Sequence, residues 1–403
     1  MQPNAPKRWA AGGLALAAAG LLAVTVTACG TTGSAGGVPA GSTAPGSAGS
    51  AGSGAATPAS AAVSDTSPAR AASGPAGGPV PRGFQPVSMT FVSASDGWVL
   101  GTAPCAQQPC TSVVRTTDGG RSWIGIPAPR YPLATPNQQR GLSDIRFADA
   151  LDGFAFGTQL WVTHNGGATW RHVALPGPIG DLETSDGVVY AAVMTGANAV
   201  TVYEGPARGG NWAPVPGLPA GVRSEGFLGM ITLHGPAAWI ILGNRLYASP
   251  AGRNWVEEPV TCGSNDGMAS VAAYSTRQLT LLCTGDPAMG SARKELLASA
   301  DGGARFTRRG VPPFGGDSFD QLAQPTAGHI FIATFSGATW LYVSGNGGRT
   351  WDQALRLADG GLGWSDFGFT TPTQGAAIEG NLGQAGRMYM TWDAGLAWQP
   401  VTF

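Results

Sequence analysis

Lysine is almost missing from this 403-residue chain: Lys7 and Lys294 are the only two, and Asp, Glu, Lys and Arg together make up 12% of it. Without a basic run there is nothing to neutralise a phosphate backbone, which excludes nucleic acid as a partner. Histidine is nearly as scarce. His164, His172, His234 and His329 are scattered, and each reads as a structural or exposed residue rather than a catalyst. The five cysteines form no Cys-x-x-Cys pair and have no matching His spacing, so neither a metal site nor a cofactor is expected. Long apolar runs are limited to Leu14–Val26, which is short for a bilayer span. No stretch carries a convincing helical period. The arginine bias, with abundant Ala and Gly, points to a high-GC bacterial genome.

What is present in excess is glycine, 63 residues of it, together with aromatics at near-constant spacing. Trp123, Trp170, Trp212, Trp255, Phe306, Trp351 and Trp398 follow Gly-rich turns at intervals of 42 to 51 residues. That is the length of one four-stranded propeller blade. In the best copies a hydroxyl residue lies seven before the aromatic and an Asp or Asn five before it. These are Thr116, Asp118, Gly120 and Trp123; Thr163, Asn165, Gly167 and Trp170; and Ser344, Asn346, Gly348 and Trp351. Ser299, Asp301, Gly303 and Phe306 repeat the arrangement, as do Thr391, Asp393, Gly395 and Trp398. The side-chain oxygens can fold back onto backbone N–H groups while glycine supplies positive φ. Two copies have decayed, the third to Gly209, Gly210 and Trp212 and the fourth to Gly252 and Trp255.

At these residues the chain resembles the Asp-box (BNR) repeat, S/T-x-D-x-G-x-T-W, over residues 84–403. That repeat occurs in sialidases, sortilin-type receptors, xyloglucan hydrolases and photosystem II assembly factors of the Ycf48/HCF136 kind. The resemblance implies that each box is a hairpin between the third and fourth strands of a blade, on the rim and away from the central site. Blade openings of the form F-x-x-x-x-D-G-W/F, at Phe91 to Trp98 and Phe147 to Phe154, are most similar to the Ycf48-like group.

The segments between boxes read as strands in their own right. Val87, Met89 and Phe91 alternate with Ser88 and Thr90, residues 97–101 give a second strand, and residues 112–115 lead into the first box. In blade four, Gly243-Asn244 between residues 239–242 and 246–248 is a primed two-residue turn. The expected fold is all-β: a seven-bladed β-propeller, with blades at about 84–127, 141–175, 178–217, 223–259, 266–312, 318–357 and 362–403. Whether residues 83–86 add a closing strand to the last blade stays open.

The N-terminus predicts location. Lys7 and Arg8 precede the apolar run, and Val26-Thr27-Ala28-Cys29 follows it. This resembles the lipobox of bacterial lipoproteins, which implies removal of residues 1–28 and lipid attachment at Cys29; the alternatives are an ordinary secretory signal or a short anchor. Acyl chains would hold the protein on the outer face of the bacterial cell membrane. Losing Lys7 and Arg8 takes the formal net charge from −1 to −3. Residues 29–82 are almost entirely Gly, Ala, Ser, Thr and Pro, the composition of a disordered tether, and residues 83–403 form the propeller. Cys105, Cys110, Cys262 and Cys283 remain, an even number suited to an oxidising compartment; the local pairings are Cys105 with Cys110 and Cys262 with Cys283.

An enzyme remains to be weighed. The sialidase resemblance would require three arginines gripping a carboxylate, a Tyr and Glu pair and an Asp. The Arg-Ile-Pro signature of that family is missing, and nothing singles out a triad among Arg146, Arg223, Arg245, Arg277 and Arg387. Another glycosidase would need two facing carboxylates, with Glu204, Glu225, Glu379, Asp317 and Asp320 as candidates. No catalytic residue is assigned. The reading is a monomeric, lipid-anchored, non-catalytic binding or assembly module that takes a protein or glycan on its top face, the alternative being a sialidase-like glycoside hydrolase. The loops at residues 130–140 and 314–319 are candidates to face a ligand or to be plain surface.

Overall fold

The computed structural model describes residues 75–403 except 107–109, 136–139, 224–228, 264–265, 286–290, 314–319, 336, 358–362 and 381–385. It is an all-β seven-bladed propeller, with no helix among the described residues. Each blade is an antiparallel meander whose strands follow in chain order. The blades run from residue 85 to 126, 142 to 173, 179 to 214, 230 to 257, 266 to 310, 321 to 357 and 364 to 400. Blade three gains a fifth short strand, Val222–Arg223, which pairs with Ala199 and Val200. The first strand of each blade lies beside that of the next, and that of blade seven beside that of blade one, so the ring is closed.

Burial explains the sequence pattern. Second strands are covered on both faces, as in Gly97–Ala103 and Asp152–Gly157, and therefore read as apolar runs without alternation. Fourth strands such as Arg171–Val173 are short and exposed. The core is divided into seven clusters, each spanning the seam between two neighbouring blades. In blade four Gly243 and Asn244 have φ of 56° and 62°, the left-handed pair that a primed turn requires.

The first and last blades meet without exchanging a strand. Gln85–Phe91 pairs with the second strand of its own blade, so residues 83–86 do not extend blade seven. Phe403 instead packs edge-on against Phe84, with ring centroids 4.9 Å apart, and lies 5.3 Å from Trp123. The Trp392 indole N–H donates to the Gly119 carbonyl of blade one at 3.1 Å. Before entering blade one the chain crosses that blade's outer edge, where Gly78 and Gly125 exchange two 2.9 Å backbone hydrogen bonds.

Candidate functional site: the ring centre and its two faces

The turns marked in the sequence lie between third and fourth strands. In blade one Thr116 Oγ1 donates to Asp118 Oδ1 at 2.8 Å and accepts the Gly120 N–H, while Asp118 Oδ1 accepts the N–H groups of Arg121 and Ser122. The same hydroxyl, Asx and glycine geometry recurs at Thr163, Asn165 and Gly167, at Ser299, Asp301 and Gly303, at Ser344, Asn346 and Gly348, and at Thr391, Asp393 and Gly395. Although burial opposes it, bonds from the Ser122 side chain and backbone hold the Asp118 carboxyl down at about 2. In blade four the turn is shorter by one residue: the Ser249 hydroxyl donates to the Arg253 carbonyl, and Asn254 takes a φ of 57°.

Each intact turn is also bonded to the hairpin between the first two strands of its own blade. Gly119 N–H reaches Ser95 O, Gly166 reaches Leu151, Gly302 reaches Arg277, Gly347 reaches Gly328 and Ala394 reaches Thr373, all between 2.8 and 2.9 Å. Those hairpins are themselves capped by a side chain that accepts the N–H three residues further on. Ser93, Asp149, Ser275, Thr326 and Thr371 accept the N–H of Asp96, Asp152, Gln278, His329 and Gln374. This cap was legible in the sequence as a hydroxyl or Asp three before each D-G or its equivalent, yet only the D-G pairs stood out. These turns and hairpins thus form a self-bonded lattice on one face of the ring.

Cys105 and Cys110 form one disulfide in the connection between the second and third strands of blade one, with Cα atoms 5.7 Å apart. Cys262 and Cys283 form the other, 5.6 Å apart, joining the entry of blade five to its second strand. Both suit an oxidising, extracytoplasmic compartment. Cys29 lies outside the described residues, as do Glu225, Asp317 and residues 136–139 and 314–319 of the candidate loops.

The candidate arginines do not converge. Arg223 sits on the accessory strand of blade three, Arg245 and Arg387 begin third strands, and Arg277 lies in a hairpin turn. Only Arg146 is on an innermost strand. The described candidate carboxylates are equally dispersed: Glu204 on a third strand of blade three, Glu379 at the end of a second strand of blade seven, and Asp320 ion-paired at 3.4 Å with the fully buried Lys294 of blade five. Of the histidines, His164 Nδ1 lies 2.7 Å from Asp152 Oδ1 and His329 Nδ1 lies 3.1 Å from Thr326 Oγ1. Tyr131, in the first candidate loop, hydrogen-bonds Thr158 at 3.1 Å and stacks near Trp161.

The centre of the ring holds a group the sequence reading named only in part. Arg146 Nε donates to Glu183 of blade three at 2.9 Å, and its Nη1 lies 3.2 Å from Asp366 of blade seven. Because blades two and seven are not neighbours, that side chain reaches past the inner edge of blade one. Its Nη1 also donates to the carbonyls of Met89 and Ile145. Asp366 Oδ2 accepts the Ser88 hydroxyl at 2.8 Å and the Met89 N–H at 2.9 Å, Ser88 Oγ accepts the Ile145 N–H at 3.2 Å, and Asp181 accepts the Ile231 N–H at 2.7 Å. Each of these bonds joins the first strands of two adjacent blades.

A β-bulge precedes or lies at this level in five blades: between Pro86 and Ser88, Leu142 and Asp144, Met268 and Ser270, Trp364 and Asp366, and opposite the step from Ala192 to Val193. The bulge changes which face the next side chain meets, and it sets the level at which Ser88, Asp144, Asp181 and Asp366 project. The sequence signal was there in S-D-I-R-F and G-D-L-E-T, charges two apart on first strands. It was obscured because the aligned blade-one and blade-seven positions carry Ser88 and Thr90, and Asp366 and Gly368.

Arg146 is 20% and Glu183 32% exposed, but protein surrounds both. Desolvation therefore dominates. It pushes up the carboxyls of Asp144 and Glu183 against the pull of Arg146, and with the nearby Glu183 charge it raises Asp181 to about 8. Burial also disfavours the Arg146 charge, but Asp366, Glu183 and Asp144 outweigh it and hold the guanidinium protonated. The arrangement is a polar clasp that engages the Nε and Nη1 of its one guanidinium.

Ring, blade count and closure place the chain in the class of seven-bladed β-propellers. No protein-family model matches it, and no curated protein does. Among solved structures it is similar to Ycf48 bound to D1 peptide, at 17% identity and a TM-score of 0.50 over 79% of this chain and 95% of that one. It is similar also to Ycf48 from Cyanidioschyzon merolae, at 15% and 0.53 over 79% and 98%. A Mycobacterium tuberculosis puromycin-hydrolyzing peptidase is similar at 15% and 0.52 over 80% of this chain and 56% of its own. Identities this low speak for the fold and leave the chemistry to the residues.

Proposed function

We propose that this protein is an extracytoplasmic binding module, anchored through a lipid on Cys29 and the 29–82 tether, whose propeller (83–403) receives a protein segment on its top face without chemistry. The observation that carries the reading is the commitment of Arg146: the one candidate arginine on an innermost strand is held by Glu183, Asp366 and two carbonyls. A sialidase-type site needs free guanidinium groups to grip a carboxylate, and this one already has its Nε and Nη1 committed to protein acceptors. The five intact turns fit structural Asp-boxes, since their hydroxyl and Asx oxygens are occupied by their own backbone. One of the similar propellers carries a bound peptide, which supports a protein segment over a glycan.

The test is cross-linking in intact cells followed by purification of the full chain from membranes. A discrete protein partner is expected, lost when the connections between second and third strands are replaced by Gly-Ser. Hydrolysis of a sialyl or glycosyl reporter, abolished by a change at the ring centre, would overturn the reading in favour of the glycoside hydrolase. Cys29→Ala should release the protein from membranes, and unchanged retention would reject the anchor.

A further inference from the structure

One seam of the ring is built differently from the others. The strand register aligns Trp98, Phe154, Tyr190, Trp239, Thr280, Phe331 and Ala376, each the second-strand partner of an equivalent first-strand residue. In five blades this residue is aromatic and plugs the gap beneath the next blade's turn. Trp98 donates to the Gly166 carbonyl, Phe154 meets Trp212 edge-on, Tyr190 OH lies 3.5 Å from the Gly252 carbonyl, Trp239 donates to the Gly302 carbonyl, and Phe331 lies against Gly395. In blade seven the residue is Ala376, and Trp392 takes over the plug by bonding to Gly119.

Blade five has Thr280 and no substitute. Its hydroxyl donates to Gln324 Oε1 of blade six at 2.6 Å, and over this polar floor opens a cleft of about 390 Å³ on the box face. The apolar cluster of this seam, Ala269, Leu282, Leu296, Ile330 and Ile332 with Leu322 and Trp351, has the fewest buried and partly buried members together of the seven among the described residues. Two arginines wall the cleft, Arg309 from the outer strand of blade five and Arg349 from the turn of blade six, joined by Tyr274 and Gln278. Neither guanidinium has an acidic partner among the described residues, whereas the neighbouring Arg308 is paired with Glu295 at 2.9 Å.

We infer that the cleft between blades five and six is a second binding site, taking a monosaccharide-sized sugar acid. The volume lies within the range of small-ligand pockets. Two guanidiniums with no carboxylate partner among the described residues supply charge-assisted donors for a ligand carboxylate. The Thr280–Gln324 floor with Gln278 supplies the hydroxyl and amide chemistry that a polyol needs, and the Tyr274 ring gives its body an apolar face. The site lies on the face that carries the box turns and stands apart from the top-face reading.

Calorimetric titration of the full-length protein in detergent with galacturonate tests the inference. Binding is expected with galacturonate and at least about tenfold weaker with galactose, which lacks the charge. Arg309→Ala and Arg349→Ala, both exposed positions, should each weaken it by about tenfold, and Thr280→Phe should abolish it by restoring the plug. Absence of heat with galacturonate up to about 10 mM, binding insensitive to both arginine changes, or equal affinity for inorganic phosphate would each overturn it. Should Thr280→Phe fail to fold, the arginine variants decide alone.

Discussion

Asp366 of the last blade accepts the Ser88 hydroxyl of the first at 2.8 Å, across the seam where the two ends of the propeller meet. The same carboxylate oxygen takes the Met89 N–H and the Arg146 guanidinium. One oxygen therefore ties blades seven, one and two at the axis, while Phe403 on Phe84 ties the first and last blades further out. Asp366→Ala leaves a buried N–H, a hydroxyl and part of a guanidinium without their acceptor. Breaking a buried pair from one side costs about 3–5 kcal/mol, so a large fall in unfolding temperature is expected. Asp366→Asn keeps a carbonyl acceptor and should lose roughly half as much, since a hydrogen bond to a charged group exceeds a neutral one by about 1 kcal/mol. Equal losses in calorimetric scans of the two variants would mean that charge is irrelevant to the seam.

Glycine in the turns on one face of the ring has two separable roles. Gly395 has a φ of 84°, and a Cβ there would come within 2.5 Å of the buried Phe331 ring of blade six. Gly187, in the hairpin of blade three, has a φ of 77° and nothing within 4 Å of such a Cβ. Gly187→Ala should cost only the left-handed backbone penalty of about 1–2 kcal/mol. Gly395→Ala should add overpacking of about 1–3 kcal/mol, because Phe331 is itself held between blades six and seven. Urea midpoints for the pair measure the difference, and similar midpoints would show that Phe331 yields freely.

Much of this architecture was legible because propeller blades repeat. Trp123 and its six counterparts mark the turn after the third strand, and Gly243-Asn244 fixes its hairpin by backbone angle alone. The bonds at Asp366, Arg146 and Asp181 were not legible, since they join residues more than 200 positions apart or depend on a bulge that shifts the side-chain level by one. The open seam at Thr280 was hidden for another reason: a small polar residue in a buried strand has meaning only beside the five aromatics that occupy the aligned positions.

The ring centre and the turns after the third strands respond to pH in opposite directions. Asp144, Asp181 and Glu183 are pushed up, Asp181 to about 8, so the folded protein binds protons there that the unfolded chain, with carboxyls near about 4, has released. Their contribution is complete below about pH 4 and is lost as pH rises through the folded values. Asp118, Asp301 and Asp393 are held down by their turn bonds, so their contribution exists above about pH 4 and is lost as pH falls through the folded values. Thermal unfolding followed from pH 3 to 9 should show a mildly acidic maximum and a decline toward about pH 8. Asp181→Asn, which retains an acceptor for the Ile231 N–H, should flatten the alkaline limb; an unchanged slope would remove the ring centre as its source.

The two disulfides should contribute unequally. Cys262 and Cys283 are separated by 21 residues and Cys105 and Cys110 by 5. Loop-closure entropy then favours the first bridge at about 3 kcal/mol against about 2 kcal/mol for the second. The surroundings widen that gap. Cys283 is fully buried in the cluster shared by blades four and five, and Cys262 packs against the same cluster, whereas Cys105 and Cys110 are exposed. Cys105→Ser with Cys110→Ser should therefore lower the unfolding temperature by only a few degrees. Cys262→Ala with Cys283→Ala should lower it several times further, by lost entropy and by the two sulfur atoms removed from packing. Adding reductant to the first double variant isolates the buried bridge with its sulfurs still in place. A drop nearly as large as that of the second double variant would assign the effect to the cross-link, and a small drop would assign it to packing at the seam.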